Sequence, residues 1–383
     1  MPTASFDQLH FLMKISPDLL SQYAKHHGID FKTKTEGASE KIADEFIKVI
    51  EKVPQNTQGK FWGEAIDIDE IGTGNGCDYL LNRAHAKGLN IKQKDYEKLQ
   101  NAKERAIYFY LNFPDLFSET CDEYNIENLQ GWRAEKTVSK SLEEILPNIP
   151  DFKYGLSVLY GKEYKGKNLK VKHVKRGETV TFIAYIEDLF TNDTSFKDGD
   201  LDTKIPRKPV FSAYFLYRPN QGILEVKAKG GKKRIRQLQE EFIKHMLKES
   251  PNITNEARYD FDKIQNIDAL TFPTEAKDLV ESVTLKALRL IHNTTKKRLS
   301  IDLGNNRGEG TEAIIKSLKE MNIDLFDYQV TQCKIEVIFD NLGKGRKRKL
   351  TVTITYPNIC DLKERDIDIA VGRLLKKWKL DLF

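Results

Sequence analysis

Three sets of residues in this 383-residue chain have the types and spacing to do chemistry or to hold a polyanion. The first is Glu225-Val226-Lys227, within the run Gly222-Ile223-Leu224-Glu225-Val226-Lys227-Ala228-Lys229. The period of two in an extended strand puts Glu225, Lys227 and Lys229 on one face and Leu224, Val226 and Ala228 on the other. A carboxylate and an amine so placed can hold a divalent cation and polarise a water or a phosphate. The second set is the glycine run Glu70-Ile71-Gly72-Thr73-Gly74-Asn75-Gly76. Glycines there let the backbone approach a ligand closely, and the residues that follow open a helix whose N-terminus favours negative charge. The third set is electrostatic. Lys227, Lys229, Lys232, Lys233, Arg234 and Arg236 lie across Gly230-Gly231, and Lys344, Arg346, Lys347, Arg348 and Lys349 crowd a hairpin tip around Gly343-Lys344-Gly345. A flexible glycine pair before a helix start suits a phosphate, and the cations add counterion release. Basic strand ends and tips also keep sheet edges from associating.

The Glu225-Val226-Lys227 strand resembles the metal-dependent nucleases of the PD-(D/E)xK type. That resemblance implies a Mg²⁺ site with Glu225 as ligand, Lys227 polarising water or phosphate, and a nearby Asp completing the site. The adjoining strand, residues 210–217, contains no carboxylate, and Asp198, Asp200 and Asp202 sit in a loop beyond Pro206 and Pro209. Without that acid the face reads as a solvated strand face. The glycine run resembles motif I of the S-adenosylmethionine-dependent methyltransferases, which implies a cofactor held at Gly72, Gly74 and Gly76 and a strand over residues 65–69. A second strand ending in an acid is expected roughly 20 residues later in such a frame. Residues 86–93 supply neither the strand nor the acid. Nuclease and methyltransferase therefore stand as the enzymatic alternatives. The leading expectation is a chain without catalytic machinery, cofactor or metal.

The seven histidines are scattered, with no HExxH pair, and there is no GxSxG. Cys77, Cys121, Cys333 and Cys360 form no CxxC, so neither a disulfide framework nor a zinc knuckle is indicated. Cys333 shares the apolar side of an alternating strand with Ile335, Val337 and Phe339, which predicts core packing.

Hydrophobic residues make up 39% and aromatics 10%, enough to exclude global disorder. No apolar run approaches the roughly 20 residues of a membrane span, and the first residues lack the pattern of a secretory signal, so a cytoplasmic protein is expected. Lys plus Arg is 62 against 57 Asp plus Glu, a formal charge of +5. The basic clusters at residues 162–176, 227–236 and 344–349 all fall late, which places any polyanion surface after about residue 150.

The elements that position these residues change character along the chain. Up to residue 148 the spacing predicts helices: from Ser16-Pro17-Asp18 to Gly28, from Ser39 to Pro54, from Asn75-Gly76 to Gly88, from Asp95 to Pro114, and shorter ones over 114–124 and 141–146. Residues 147–150 read as a linker. Beyond it, hairpins are predicted at 169–186, 210–229, 282–303 and 328–356, with helices over 232–248, 311–321 and 364–378. The expected class is α+β with mainly antiparallel sheet, in a helical domain 1–148 and two hairpin-rich subdomains 149–255 and 256–383. The order of hairpin, connection, hairpin and helix recurs, which raises a structural duplication as a hypothesis. The expected role is a cytoplasmic accessory or adaptor protein in a multi-subunit assembly. It binds nucleic acid through its basic half and a protein through its helical half, with no membrane contact.

Overall fold

The computed structural model describes residues 6–32, 39–92, 96–176, 178–197, 200–253, 256–304, 310–340, 348–363 and 365–383. The fold is α+β, in two compact units, Met1–Asn128 and Leu129–Phe383. No helix among the described residues is long and apolar enough to cross a membrane.

The first unit holds α1 (Gln8–Leu12), α2 (Pro17–His26), α3 (Ser39–Ile50), α4 (Gln55–Ile71), α5 (Gly74–Ala86), α6 (Ala102–Asn112) and α7 (Pro114–Asn128). Pro17 sits in the first turn of α2, where its missing N–H costs nothing. Residues 65–69 are not a strand. They lie inside α4, because Phe61, Ala65, Ile68 and Ile71 recur at helical spacing and all four are buried. The helix expected after Asp95, a residue outside those described, begins instead at Ala102. There the Asn101 side chain accepts hydrogen bonds from the N–H groups of Lys103 and Glu104, at 2.9 and 3.2 Å.

The second unit begins with β1 (Trp132–Lys136) and α8 (Ile149–Gly161), followed by β2 (Leu169–Arg176), β3 (Thr179–Glu187), β4 (Thr191–Lys197) and β5 (Asp200–Arg207). Then come β6 (Val210–Arg218), β7 (Ile223–Lys227), α9 (Gly231–His245), β8 (Val280–His292), β9 (Arg298–Asp302) and α10 (Thr311–Glu320). The chain closes with β10 (Tyr328–Phe339), β11 (Arg348–Thr355), β12 (Ile359–Cys360) and α11 (Asp366–Lys377). Ten strands form one sheet in the order β2-β3-β6-β7-β1-β12-β11-β10-β8-β9, and β4 pairs β5 separately. Every pairing is antiparallel.

The compact units divide at a different place from the edges expected at 148 and 255. The division falls after Asn128, and residues 147–150 run through the helical turn Leu146–Asn148 into α8. The two expected subdomains share one sheet because β1 pairs β7 on one side and β12 on the other. The repeated order of elements does not repeat the topology. In the first half the second strand of the leading hairpin, β3, pairs β6, whereas in the second half the first strand, β8, pairs β10.

Cross-strand partners share a face, so the register tells where each core lies. Leu224 and Val226, with Phe182, Phe215 and Tyr217, bury under residues of α8 and α9 such as Phe152, Leu238 and Phe242. Glu225 points the other way, opposite Ala134. Two residues along β1 on that face, Trp132 faces Cys360, then Ile354, then Cys333. These cysteines and Ile354 pack with Ile314 of α10, with Val371 and Leu374 of α11 and with Trp378 at its C-terminal cap. The two helix pairs therefore cover opposite faces of the sheet.

Candidate nucleic-acid interface

β7 ends at Lys227, and the chain enters α9 through Gly230 and Gly231, whose φ angles are +106° and +71°. A side chain there would be strained, so the glycine pair is what lets the strand turn directly into the helix. The turn places Lys229, Lys232 and Lys233 in solvent, and with Lys227 they meet no carboxylate in an ion pair among the described residues. Arg234 and Arg236 are already engaged. The Arg234 guanidinium lies 4.9 Å from the Tyr160 ring centre and pairs with Glu163, and Arg236 pairs with Glu240 at 3.2 Å, one helical turn on.

Beside this turn a cleft of about 470 Å³ is lined by Lys165, Lys229, Lys233 and Arg234 together with Glu163 and Asp188. Lys165 reaches Asp188 at 3.2 Å. The Leu189 N–H and the Lys165 ammonium hold the Asp188 carboxyl below its ordinary range, so it stays ionised and offsets that lysine.

The second expected cluster is described in part: Lys344, Arg346 and Lys347 lie outside the described residues, while Arg348 and Lys349 open β11. Lys349 pairs with Glu336, which is buried on β10. β7 and β11 run antiparallel, with β1 and β12 between them. The end of β7 and the start of β11 therefore point toward the same end of the sheet, but the register sets Lys227 level with Ile354, so Arg348 stands six residues, roughly 20 Å, further along as well as three strand spacings across. Lys349 alternates with Leu350, which packs on the α10–α11 core, so it belongs to the face that carries α9.

A basic and aromatic groove adjoins the edge strand and takes in Lys167 and Lys170 of the basic cluster at residues 162–176. About 690 Å³ of open space is lined by Lys153 and Tyr154 of α8, Lys167, Lys170, Tyr185 and Lys208. Tyr154 is 67% exposed. Lys208 is held by Glu187 at 3.2 Å, and Lys172 stands 5.5 Å from the Tyr185 ring centre. The alternating lysines of Leu169-Lys170-Val171-Lys172 were the available signal. Lys153 and Lys208 are brought in only by folding.

The face of β7 that holds Glu225 is not solvated at that residue. Glu225 is buried, and Oε2 accepts from Nε and Nη2 of Arg218 at 3.1 and 2.9 Å while Oε1 accepts from Nη1 of Arg258 at 2.7 Å. Arg258 forks onward to both oxygens of Asp381, each at 3.0 Å. Burial pushes the Glu225 carboxyl up, but Arg218 and Arg258 outweigh it and hold the group below its ordinary value. A cation would have to displace a guanidinium group to reach either oxygen. Of the acids set against Glu225 in the sequence, Asp200 stands on β5 in the separate two-stranded sheet, while Asp198 and the Asp202 side chain lie outside the described residues. No cluster of His, Cys, Asp and Glu among the described residues has metal-holding geometry.

The glycine run is a helix–turn–helix corner rather than a strand–loop–helix. Gly72 ends α4, and Thr73 caps α5 by accepting the Gly76 N–H at 3.0 Å. A Cβ on Gly72 would meet Ile68 O at 2.6 Å, and one on Gly76 would fall inside the Ile71 carbonyl, whereas Gly74 has open space around it. Two of the three glycines are thus required by chain packing. All four cysteines are unpaired as disulfides. Burial pushes the Cys77 thiol up to about 11 and the Cys121 and Cys360 thiols up to about 12, so they stay protonated near neutral pH.

Neither the family models nor the curated proteins gave a match to this chain.

Proposed function

We propose that this chain is a non-catalytic accessory protein that holds nucleic acid on the basic end of its ten-stranded sheet and a protein partner on its helical unit. The observation that carries this reading is the partition of charge between the units. Residues 1–128 hold 15 Lys and Arg against 21 Asp and Glu, whereas residues 129–383 hold 47 against 36. The first unit would repel a polyanion and the second attract one. Within the second unit, Lys229, Lys232 and Lys233 share an end of the sheet with Arg348 and Lys349. The groove of Lys153, Lys167 and Lys170 adds two tyrosines, on which unpaired bases can stack. Four unpaired thiols fit a reducing, cytoplasmic compartment.

Fluorescence anisotropy across salt tests the reading. Changing Lys229, Lys232 and Lys233 to Ala should weaken duplex binding for all sequences alike, since phosphate contacts carry no sequence information directly. If each lysine neutralises one phosphate, the slope of log affinity on log salt falls by roughly 2.7. The three side chains are exposed, so thermal stability should not change. No binding by the wild type at about 50 mM salt, or a triple variant with the wild-type slope, would sink the proposal.

A further inference from the structure

A second cleft, of about 330 Å³, opens between α11 and the β6–β7 turn. It lies away from the basic end, because that turn joins the opposite ends of β6 and β7 from the end that leads into α9. It also lies on the other face, the one shared by Glu225 and the α10–α11 core. We propose that this cleft binds a terminal phosphate monoester, gripped by Arg373 and Lys376 from α11.

The argument rests on which charges in the cleft are already balanced. Its buried acids are closed. Glu225 is held by Arg218 and Arg258, and Asp381 takes both arms of Arg258. Asp368 accepts from Arg365 at 2.6 and 3.2 Å and from the Lys363 N–H at 3.0 Å. These carboxylates have no capacity left to attract a cation, and their charge is matched where it sits. The rim differs. Arg373 and Lys376 are three residues apart and share a helix face, both are exposed, and neither pairs with a carboxylate among the described residues. Glu178, on the β2–β3 turn, is the exposed acid of the lining. Gly372 lowers the helix surface between the rim cations and the floor: a Cβ there would touch only Leu362, at 3.8 Å. Asn220 and Gln221 supply amides for the remaining oxygens.

The Arg373 guanidinium with the Lys376 ammonium beside it suits a phosphate dianion better than a carboxylate, which carries half the charge. The volume lies at the small end of small-molecule sites and suits one sugar phosphate or one nucleotide at a strand end. Both sources present the same chemistry, and the assay separates them.

Calorimetry with inorganic phosphate and with ribose 5-phosphate should show saturable binding to the wild-type chain. The Arg373→Ala, Lys376→Ala double variant should lose at least tenfold in affinity at an unchanged melting temperature, since both side chains are exposed. The variant lacking Lys229, Lys232 and Lys233 should bind inorganic phosphate like the wild type, which separates this site from the nucleic-acid surface. If a 5′-phosphate strengthens binding of a short oligonucleotide over its 5′-hydroxyl form, the source is a strand end. If only ribose 5-phosphate gains over inorganic phosphate, it is a small metabolite. No phosphate binding at millimolar concentration, or a double variant that binds like the wild type, overturns the proposal.

Discussion

Arg258→Ala is expected to destabilise the second unit by about 3–5 kcal/mol, the cost of removing one partner from a buried ion pair. Among the described residues Arg258 alone bridges Glu225 on β7 and Asp381 near the C-terminus, and its side chain is 12% exposed. Truncation leaves the Asp381 carboxylate buried without its fork and returns one oxygen of Glu225 to a dry site. Denaturant unfolding followed by tryptophan fluorescence measures the loss, because Trp132 lines the same cleft. A loss below about 1 kcal/mol would mean that water reaches these carboxylates. The same network sets an acid limit. Glu225 is held below its ordinary value of 4.5 in the folded protein, so its contribution is fully present above that pH and disappears as pH falls through the lowered folded value. Wild-type stability should therefore fall steeply below about pH 4.5, and Glu225→Gln should be less stable at neutral pH but flatter in acid.

Gly76→Ala is expected to cost about 3 kcal/mol in the first unit, at the upper end of overpacking penalties, because the clash is with the Ile71 backbone rather than a movable side chain. Gly74→Ala, two residues earlier, should be neutral or stabilise by up to about 1 kcal/mol, since the site is open and alanine favours the helix. A nucleotide-cofactor loop would need both glycines for its ligand; a helix corner needs only one. Thermal denaturation of the two variants reads the difference, and calorimetry with S-adenosylmethionine supplies the matching ligand test. Equal destabilisation by both substitutions, or binding of that cofactor, would return the run to a ligand role.

The hairpins β2–β3, β6–β7, β8–β9 and β10–β11 were legible in the sequence because each is local. A few turn residues separate two alternating runs, and nothing distant is needed to pair them. Helices α9, α10 and α11 were legible for the same reason, with apolar residues at helical spacing on one side. The β4–β5 hairpin was not, because Thr191-Asn192-Asp193-Thr194-Ser195 has no apolar alternation to read. Helix α4 was obscured by three glutamine and asparagine residues at its start and by a glycine run at its end, which together looked like loop and motif.

Residue composition by itself determined the class of this protein, the late placement of its cations, and the cores of its separate hairpins, since these depend on charge and on spacing over a few residues. Tertiary structure decided everything that depends on distant pairing. The polar strand Trp132-Arg133-Ala134-Glu135-Lys136 closes the sheet only because Lys136 meets Ile223 and Trp132 meets Cys360. That closure put the two helix pairs on opposite faces and turned the end of β7 and the start of β11 toward the same end of the sheet. It also buried Glu225, which on an isolated strand is indistinguishable from a solvated glutamate. Its partner Arg258 lies 33 residues away with no local pattern to announce it. Whether a charge faces water or a guanidinium is a property of what folds over it, and no period in the chain encodes that.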